Sequence, residues 1–310
     1  MSLRDRVLKP EYLYRIFWDD PIVDLSLPYP AKGNATDDNV LVNLPWRLNM
    51  IVHSCETLGR ALIRLGVYDL AVSEALCRLI KKGDSLIDVG ANIGYMTSIM
   101  AVAAASSGRI VAFEPHPALA KTMLYNVGLW NRTNPPTASI EVRQEAANER
   151  DGETYLEIPN DFTSNNGLAF LVDQPTSSSL TVRSVRLDSV LASHQRVDLL
   201  KVDVEGAELA VFHGAEKLLS SHSVRHIIFE EHRNFPTPVT TFLQERGYTI
   251  YQLGVGFFGP LLGTGSDINK TPRRAWEPRS MLATLEPRAV SEAFAVRGWR
   301  ILRPKRSMIC

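Results

Sequence analysis

Leu86-Ile87-Asp88-Val89-Gly90-Ala91-Asn92-Ile93-Gly94-Tyr95 decides the fold of this chain. The stretch opens as a short apolar run of strand length. Glycines 90 and 94 then break it into a turn, and residues 94 to 105 follow as an apolar, small-residue helix. A second strand, Arg109 to Phe113, leads into Glu114, 24 residues after Gly90. Strand, glycine turn, helix and strand-end acid are the parts from which an α/β sheet builds a nucleoside site. Backbone approaches the ligand at the glycines, and the carboxylate takes the ribose diol.

The spacing narrows the choice of nucleoside. A dinucleotide fingerprint requires G-x-G-x-x-G, and Asn92 stands where its second glycine belongs; no G-K-[ST] follows to make a phosphate loop. With Asp88 ahead of the turn the pattern is D-x-G-x-N-x-G, which resembles the S-adenosylmethionine site of class I methyltransferases. A second strand-to-turn motif, Leu199-Leu200-Lys201-Val202-Asp203-Val204-Glu205-Gly206-Ala207-Glu208, brings three carboxylates within six residues. Together D-V-G-A-N-I-G and K-V-D-V-E-G-A-E resemble the FkbM-type methyltransferases, a bacterial O-methyltransferase family. Gly66-Val67-Tyr68-Asp69, Phe113-Glu114-Pro115, Asn126 and Asn131 add to the likeness, which covers roughly residues 66 to 253.

That resemblance implies a Rossmann-like, doubly wound α/β sheet of seven mostly parallel strands with an antiparallel last strand. The expected division is an N-terminal arm with short helices over 1–65, a methyltransferase domain over 66–286 and a basic C-terminal tail over 287–310. Two alternating runs, Thr154 to Ile158 and Thr181 to Leu187, predict a small β insertion within about 151–187. Glycines and prolines make 254–280 read as a loop, long enough to serve as a lid or binding segment.

Composition sets outer bounds. Lys plus Arg (34) equals Asp plus Glu (34), so the overall field makes no case for a nucleic-acid partner. From Thr271 onward nine basic residues face three acidic ones; the alternatives are a solvated surface or a contact with an anionic substrate, a lipid or a neighbouring subunit. Cys55, Cys77 and Cys310 lack metal or redox spacing. No apolar run is long enough to span a bilayer and no signal peptide is evident, so a cytoplasmic setting is expected. Homo-oligomerisation is left open.

The site residues follow from motifs and resemblance together. Asp88, Gly90, Asn92 and Gly94 are expected around the amino-acid part of the cofactor, with Asp88 touching it, holding the turn, or capping backbone amides. Glu114 is expected on the ribose, and Glu145 and Ala146, after the third strand, near the adenine. Asp203, Glu205 and Glu208 follow the fourth strand, beside the transferable methyl group. One of them serves as general base, or they bind a divalent ion, or they are structural; a metal is not expected. His232 ends the fifth strand, and histidine is the residue type suited to proton transfer near neutrality. The expected activity is O-methylation of a sugar, glycolipid or polyketide hydroxyl. A non-catalytic cofactor-binding protein and a nicotinamide-dependent oxidoreductase are the rivals.

Overall fold

The computed structural model describes residues 39–134, 136–191, 196–272 and 279–302, and the backbone of Ile22–Asp24. A small antiparallel sheet comes first: β1 (Ile22–Asp24), β2 (Asn39–Asn43) and β3 (Asn49–His53), followed by helices α1 (Thr57–Leu65) and α2 (Leu70–Leu79). Then come β4 (Ser85–Val89), α3 (Tyr95–Ala104), β5 (Arg109–Phe113), α4 (Pro117–Trp130) and β6 (Ser139–Arg143). An insertion holds β7 (Ala146–Ala147), β8 (Gly152–Glu157), β9 (Phe170–Val172) and β10 (Ser179–Val185). The chain continues through β11 (Val197–Val202), α5 (Glu208–Gly214), α6 (Glu216–Ser220), β12 (Val224–Glu231), α7 (Pro238–Glu245) and β13 (Thr249–Gly256). It ends with β14 (Gly259–Gly263), β15 (Arg279–Thr284) and α8 (Pro287–Ala295).

The main sheet has the order β6-β5-β4-β11-β12-β15-β13-β14. Strands β6 to β12 are parallel, and β15 is inserted antiparallel between β12 and β13. This is the doubly wound class I methyltransferase arrangement. All five residues of β4 are buried, as both-face coverage of a parallel sheet demands. Side-chain alternation then divides the core. Leu86, Ile110 and Leu199 face the layer of α2 to α4, whereas Ile87, Leu200 and Phe229 face that of α5 to α7. Each such side chain contributes about 1.5–3 kcal/mol by leaving water.

Three expectations need correction. Residues 254–280 are not simply a loop: β14 adds an eighth strand antiparallel to β13, and Gly265–Lys270 forms a 3-10 helix. The glycines there permit close packing; a Cβ at Gly263 would lie 1.7 Å from the Thr271 hydroxyl oxygen. Residues 273–278, with Trp276, lie outside the described residues. The arm read as short helices is, over 39–53, a β-hairpin, because Val-Leu-Val and Met-Ile-Val favour extended backbone. That hairpin is sewn to the domain. The Asn126 side chain accepts from the Ile51 amide (2.8 Å) and donates to the carbonyls of Ile51 (3.2 Å) and Ile93 (3.0 Å).

The tail read as a basic surface segment is, through Leu302, anchored in the core by some of its residues, while its basic Arg288 and Arg297 stay exposed. Trp299, Ile301 and Leu302 are buried. A fully buried pair, Arg78 and Glu74 (2.5 Å), holds it. Arg78 donates to the carbonyls of Ala293, Val296 and Gly298, and Glu74 accepts the amides of Arg300 and Ile301. The remaining basic residues Arg303, Lys305 and Arg306 lie outside the described residues. The predicted β insertion is a four-stranded sheet of order β7-β10-β8-β9, antiparallel apart from β7 with β10.

Candidate active site

Strand order reverses between β4, whose crossovers lead to β5 and β6, and β11, whose crossover leads to β12. A crevice opens there at the carboxyl ends of the strands. The glycine turn leaves β4 and the acidic turn leaves β11, so the two sequence motifs meet at this point. Asp88 and Lys201 are register partners. Asp88 is fully buried, accepts from the Thr97 hydroxyl at 2.5 Å and lies 3.3 Å from the Lys201 ammonium. Lys201 also lies 3.3 Å from Asp203 and donates to the Gly90 carbonyl at 3.0 Å. Burial opposes the Lys201 charge, but Asp88 and Asp203 outweigh it and hold its pKa above the ordinary lysine range. Asp88 sits beneath the cleft wall and acts on the turn through Lys201.

Gly90 has φ +73°, and a Cβ on it would come within 1.8 Å of the Asp203 carbonyl oxygen. Its need for glycine therefore arises inside the protein, from the approach of the second motif, and requires no ligand. Gly94, with φ +96°, precedes α3; a Cβ there would lie 3.0 Å from the Trp130 ring. Gly94 is absent from the cleft wall, while Gly90, Ala91 and Asn92 form part of it.

Glu114 is 6% exposed, and each of its oxygens accepts one backbone amide at 2.8 Å, from Asn92 and from His116. Burial pushes its carboxyl up to about 7, against the pull of those two amides. The acid is thus fixed in orientation, and each oxygen keeps a second lone-pair site for a hydroxyl donor. Glu145 and Ala146 also line the cleft. The Glu145 carboxylate is already engaged by Arg143 (2.6 Å) and Arg183 (3.2 Å). With Ala147, Leu156 and Leu171 they make a slot that is apolar apart from this neutralised acid.

Asp203, Glu205 and Glu230 form the other end of the cleft. Burial, then the charges of Asp203 and Glu208, push Glu205 up to about 7; burial, Asp203 and Glu205 push Glu230 up to about 9. His232 is half exposed and stands at the rim of the cleft, 3.5 Å from Glu230. Glu208 is buried and accepts the amides of Val204 (3.3 Å) and Gly206 (3.2 Å), so it holds the acidic turn from beneath. Donor atoms of Glu205, Glu230 and His232 lie within 4.8 Å of one another. That spacing fits one divalent ion, but no other feature of the cleft calls for it.

Sequence reasoning gave no site role to Glu230, Tyr68, Asp69 or Glu56, which line the acidic end, or to Asn165–Gly167 and Ala169–Leu171 of the insertion. Glu230 was legible by counting in twos along β12. It shares a face with Ile228, as Lys201 does with Leu199, and that face carries Asp88.

Residues 88–250 match the model of the methyltransferase FkbM domain, and the chain belongs to that family. It is an S-adenosylmethionine-dependent methyltransferase of FkbM type. Over 186 residues it is 28% identical to a hexuronic acid methyltransferase, AglP, of Haloferax volcanii, covering 58% of this chain and 71% of that protein. It is 30% identical over 152 residues to methyltransferase 1 of Beauveria bassiana, covering 42% of this chain and 58% of that one. A solved FkbM methyltransferase from Methylobacillus flagellatus superposes with TM-score 0.44 at 14% identity, covering 69% of this chain and 52% of that one. Among the described residues no helix is long and apolar enough to cross a membrane.

Proposed function

We propose that the protein transfers a methyl group from S-adenosylmethionine to a hydroxyl of a sugar-type acceptor, borne on a glycan, a glycolipid or a polyketide-like product. The carrying observation is one cleft with Glu114, held by two amides, at one end and Asp203, Glu205 and Glu230 at the other. Glu114 accepts the two ribose hydroxyls. The slot beside Glu145 and Ala146 takes the adenine. The Gly90–Asn92 turn, braced by Lys201 and Asp88, receives the amino-acid portion. When bound there, the cofactor supplies an electrophilic methyl carbon.

The remaining work is alignment and proton removal. Holding an acceptor oxygen in line is worth roughly 7–11 kcal/mol when geometry is ideal. Glu205, whose carboxyl titrates near neutrality, takes the hydroxyl proton, since a base is most effective with a pKa near the working pH. Asp203 is occupied by its ion pair with Lys201 at 3.3 Å. Glu230 keeps its proton at neutral pH and donates a hydrogen bond that orients the acceptor, with His232 positioning it. A sugar ring, whose hydroxyls both donate and accept, suits a wall of carboxyl groups that do the same, and the likeness to a hexuronic acid methyltransferase supports a sugar. Calorimetry with S-adenosylhomocysteine, followed by mass spectrometry of a glycan and glycolipid panel incubated with cofactor, tests the proposal. Absence of cofactor-product binding would reject it.

A further inference from the structure

The β13–β14 hairpin ends in two adjacent phenylalanines that no part of the described chain covers. Phe258 is 78% exposed and Phe257 43%, their rings meeting edge to face at 4.9 Å. Leu261, on the strand that leaves the turn, and Val296 are also exposed. The tip is anchored: the Gly298 amide donates to the Phe258 carbonyl at 2.8 Å, and Arg78 grips the Val296 and Gly298 carbonyls. Adjacent aromatic rings held exposed on an anchored turn are uncommon on a protein without a partner surface.

Position and charge identify the partner. Strand β13 is antiparallel to β15, which is antiparallel to β12, so β13 points the same way as β4, β11 and β12. Its tip therefore leaves the same sheet edge as Glu230 and Asp203. In register Gln252 is level with Met281 and Phe229, so Phe257 stands roughly 13 Å beyond the level of Glu230, about 10 Å to the side. Residues 254–264 and 293–302, which converge at the tip, contain no acidic residue and two arginines, Arg297 and Arg300. Aromatic rings beside arginine suit a boundary between hydrocarbon and phosphate.

We infer that this hairpin tip docks the protein on an anionic lipid bilayer, with Phe257 and Phe258 in the headgroup boundary and Arg297 on lipid phosphates. Docking in this way turns the acidic end of the cleft toward the bilayer surface. The further step, that the acceptor hydroxyl is carried on a lipid headgroup, rests on the proposed methyl transfer; the docking does not.

Co-sedimentation of the full-length protein with vesicles containing about 30% phosphatidylglycerol, against pure phosphatidylcholine vesicles, tests the docking. The wild type is expected to prefer the anionic vesicles. Phe257→Ser combined with Phe258→Ser should lower the partition coefficient at least about tenfold, and Arg297→Ala about fivefold. Affinity for S-adenosylhomocysteine should stay unchanged in both variants, which certifies their folding. Failure of the wild type to bind anionic vesicles, or equal binding by the double variant, overturns the inference. So does a light-scattering dimer that the double variant converts to a monomer, since the patch would then be a subunit contact. Loss of S-adenosylhomocysteine binding by the wild type would instead defeat the cofactor reading and leave the vesicle result standing.

Discussion

The carbonyl oxygen of Asp203 occupies the space that a Cβ on residue 90 would need: the two would be 1.8 Å apart. The cofactor turn and the acidic turn are therefore one interlocked unit, closed further by the Asp203 amide bonding to the Val89 carbonyl at 3.1 Å. Gly90→Ala must displace backbone as well as adopt a positive φ, and should cost about 3 kcal/mol of stability and abolish cofactor binding. Gly206→Ala, at φ +99° with nothing within 4 Å of the new Cβ, bears the backbone strain alone and should cost about 1–2 kcal/mol. Denaturant unfolding of the pair measures the difference.

Glu114→Gln should weaken S-adenosylhomocysteine binding more than about tenfold, because each charge-assisted hydrogen bond is worth about 1.5–3 kcal/mol. The wild-type carboxyl, pushed up to about 7 by burial, accepts hydroxyl donors best when ionised. Its affinity should therefore improve as pH rises through 7, and the Gln variant should show a flat profile. Calorimetry across that interval checks both expectations.

Glu205→Gln should lower kcat by about 10²–10⁴ with little change in cofactor affinity. Glu230→Gln, which preserves a hydrogen-bond donor, should lower kcat less and remove the loss of activity expected as pH rises through about 9, where the wild-type Glu230 ionises. His232→Asn should reduce kcat less than about tenfold, since its half-exposed ring stands at the rim of the cleft beside Glu230. Steady-state rates on any acceptor found by mass spectrometry rank the three.

His226 is buried with its Nδ1 2.8 Å from the Thr284 hydroxyl, and burial together with Arg225 lowers its pKa to about 4. The unfolded chain binds a proton at this residue from about pH 6.5 downward, while the folded chain refuses it until about pH 4. Stability should thus fall as pH drops through that window. His226→Asn, which keeps a group able to bond Thr284, should remove about 1–3 kcal/mol of this dependence. Unfolding midpoints of wild type and variant at pH values across the window give the comparison.

Strand and turn chemistry made the sheet readable because buried parallel strands are short, mostly apolar runs: 198–202 and 224–230 read as strands although Lys201, Arg225 and His226 interrupt them. The glycine turn, Glu114 and the acidic turn were readable because each sits at a strand end. What escaped were contacts made across long sequence separations. Tyr68 and Glu56 enter the cleft only because the Asn39–His53 hairpin and α1 fold against α3 and α4, a packing that no local pattern announces. Glycine-rich 254–265 looked like a loop because close strand packing and chain reversal demand the same residue. Glu230 was overlooked in favour of His232, because histidine is the residue type most associated with proton transfer; burial, invisible in sequence, gives the carboxyl the better placement.

The hydrogen bonds of Asn126 to Ile51 and Ile93 have a practical corollary. The span recognisable by family pattern, 88–250, is not a transplantable cassette. Its nucleoside turn is shored from outside by Ile51, and its sheet is finished by β15 from beyond the other boundary. Chimaeras that exchange acceptor preference between relatives should therefore graft surface segments onto the whole chain, because an excised middle would carry the recognisable motifs and lose the scaffolding that shapes them.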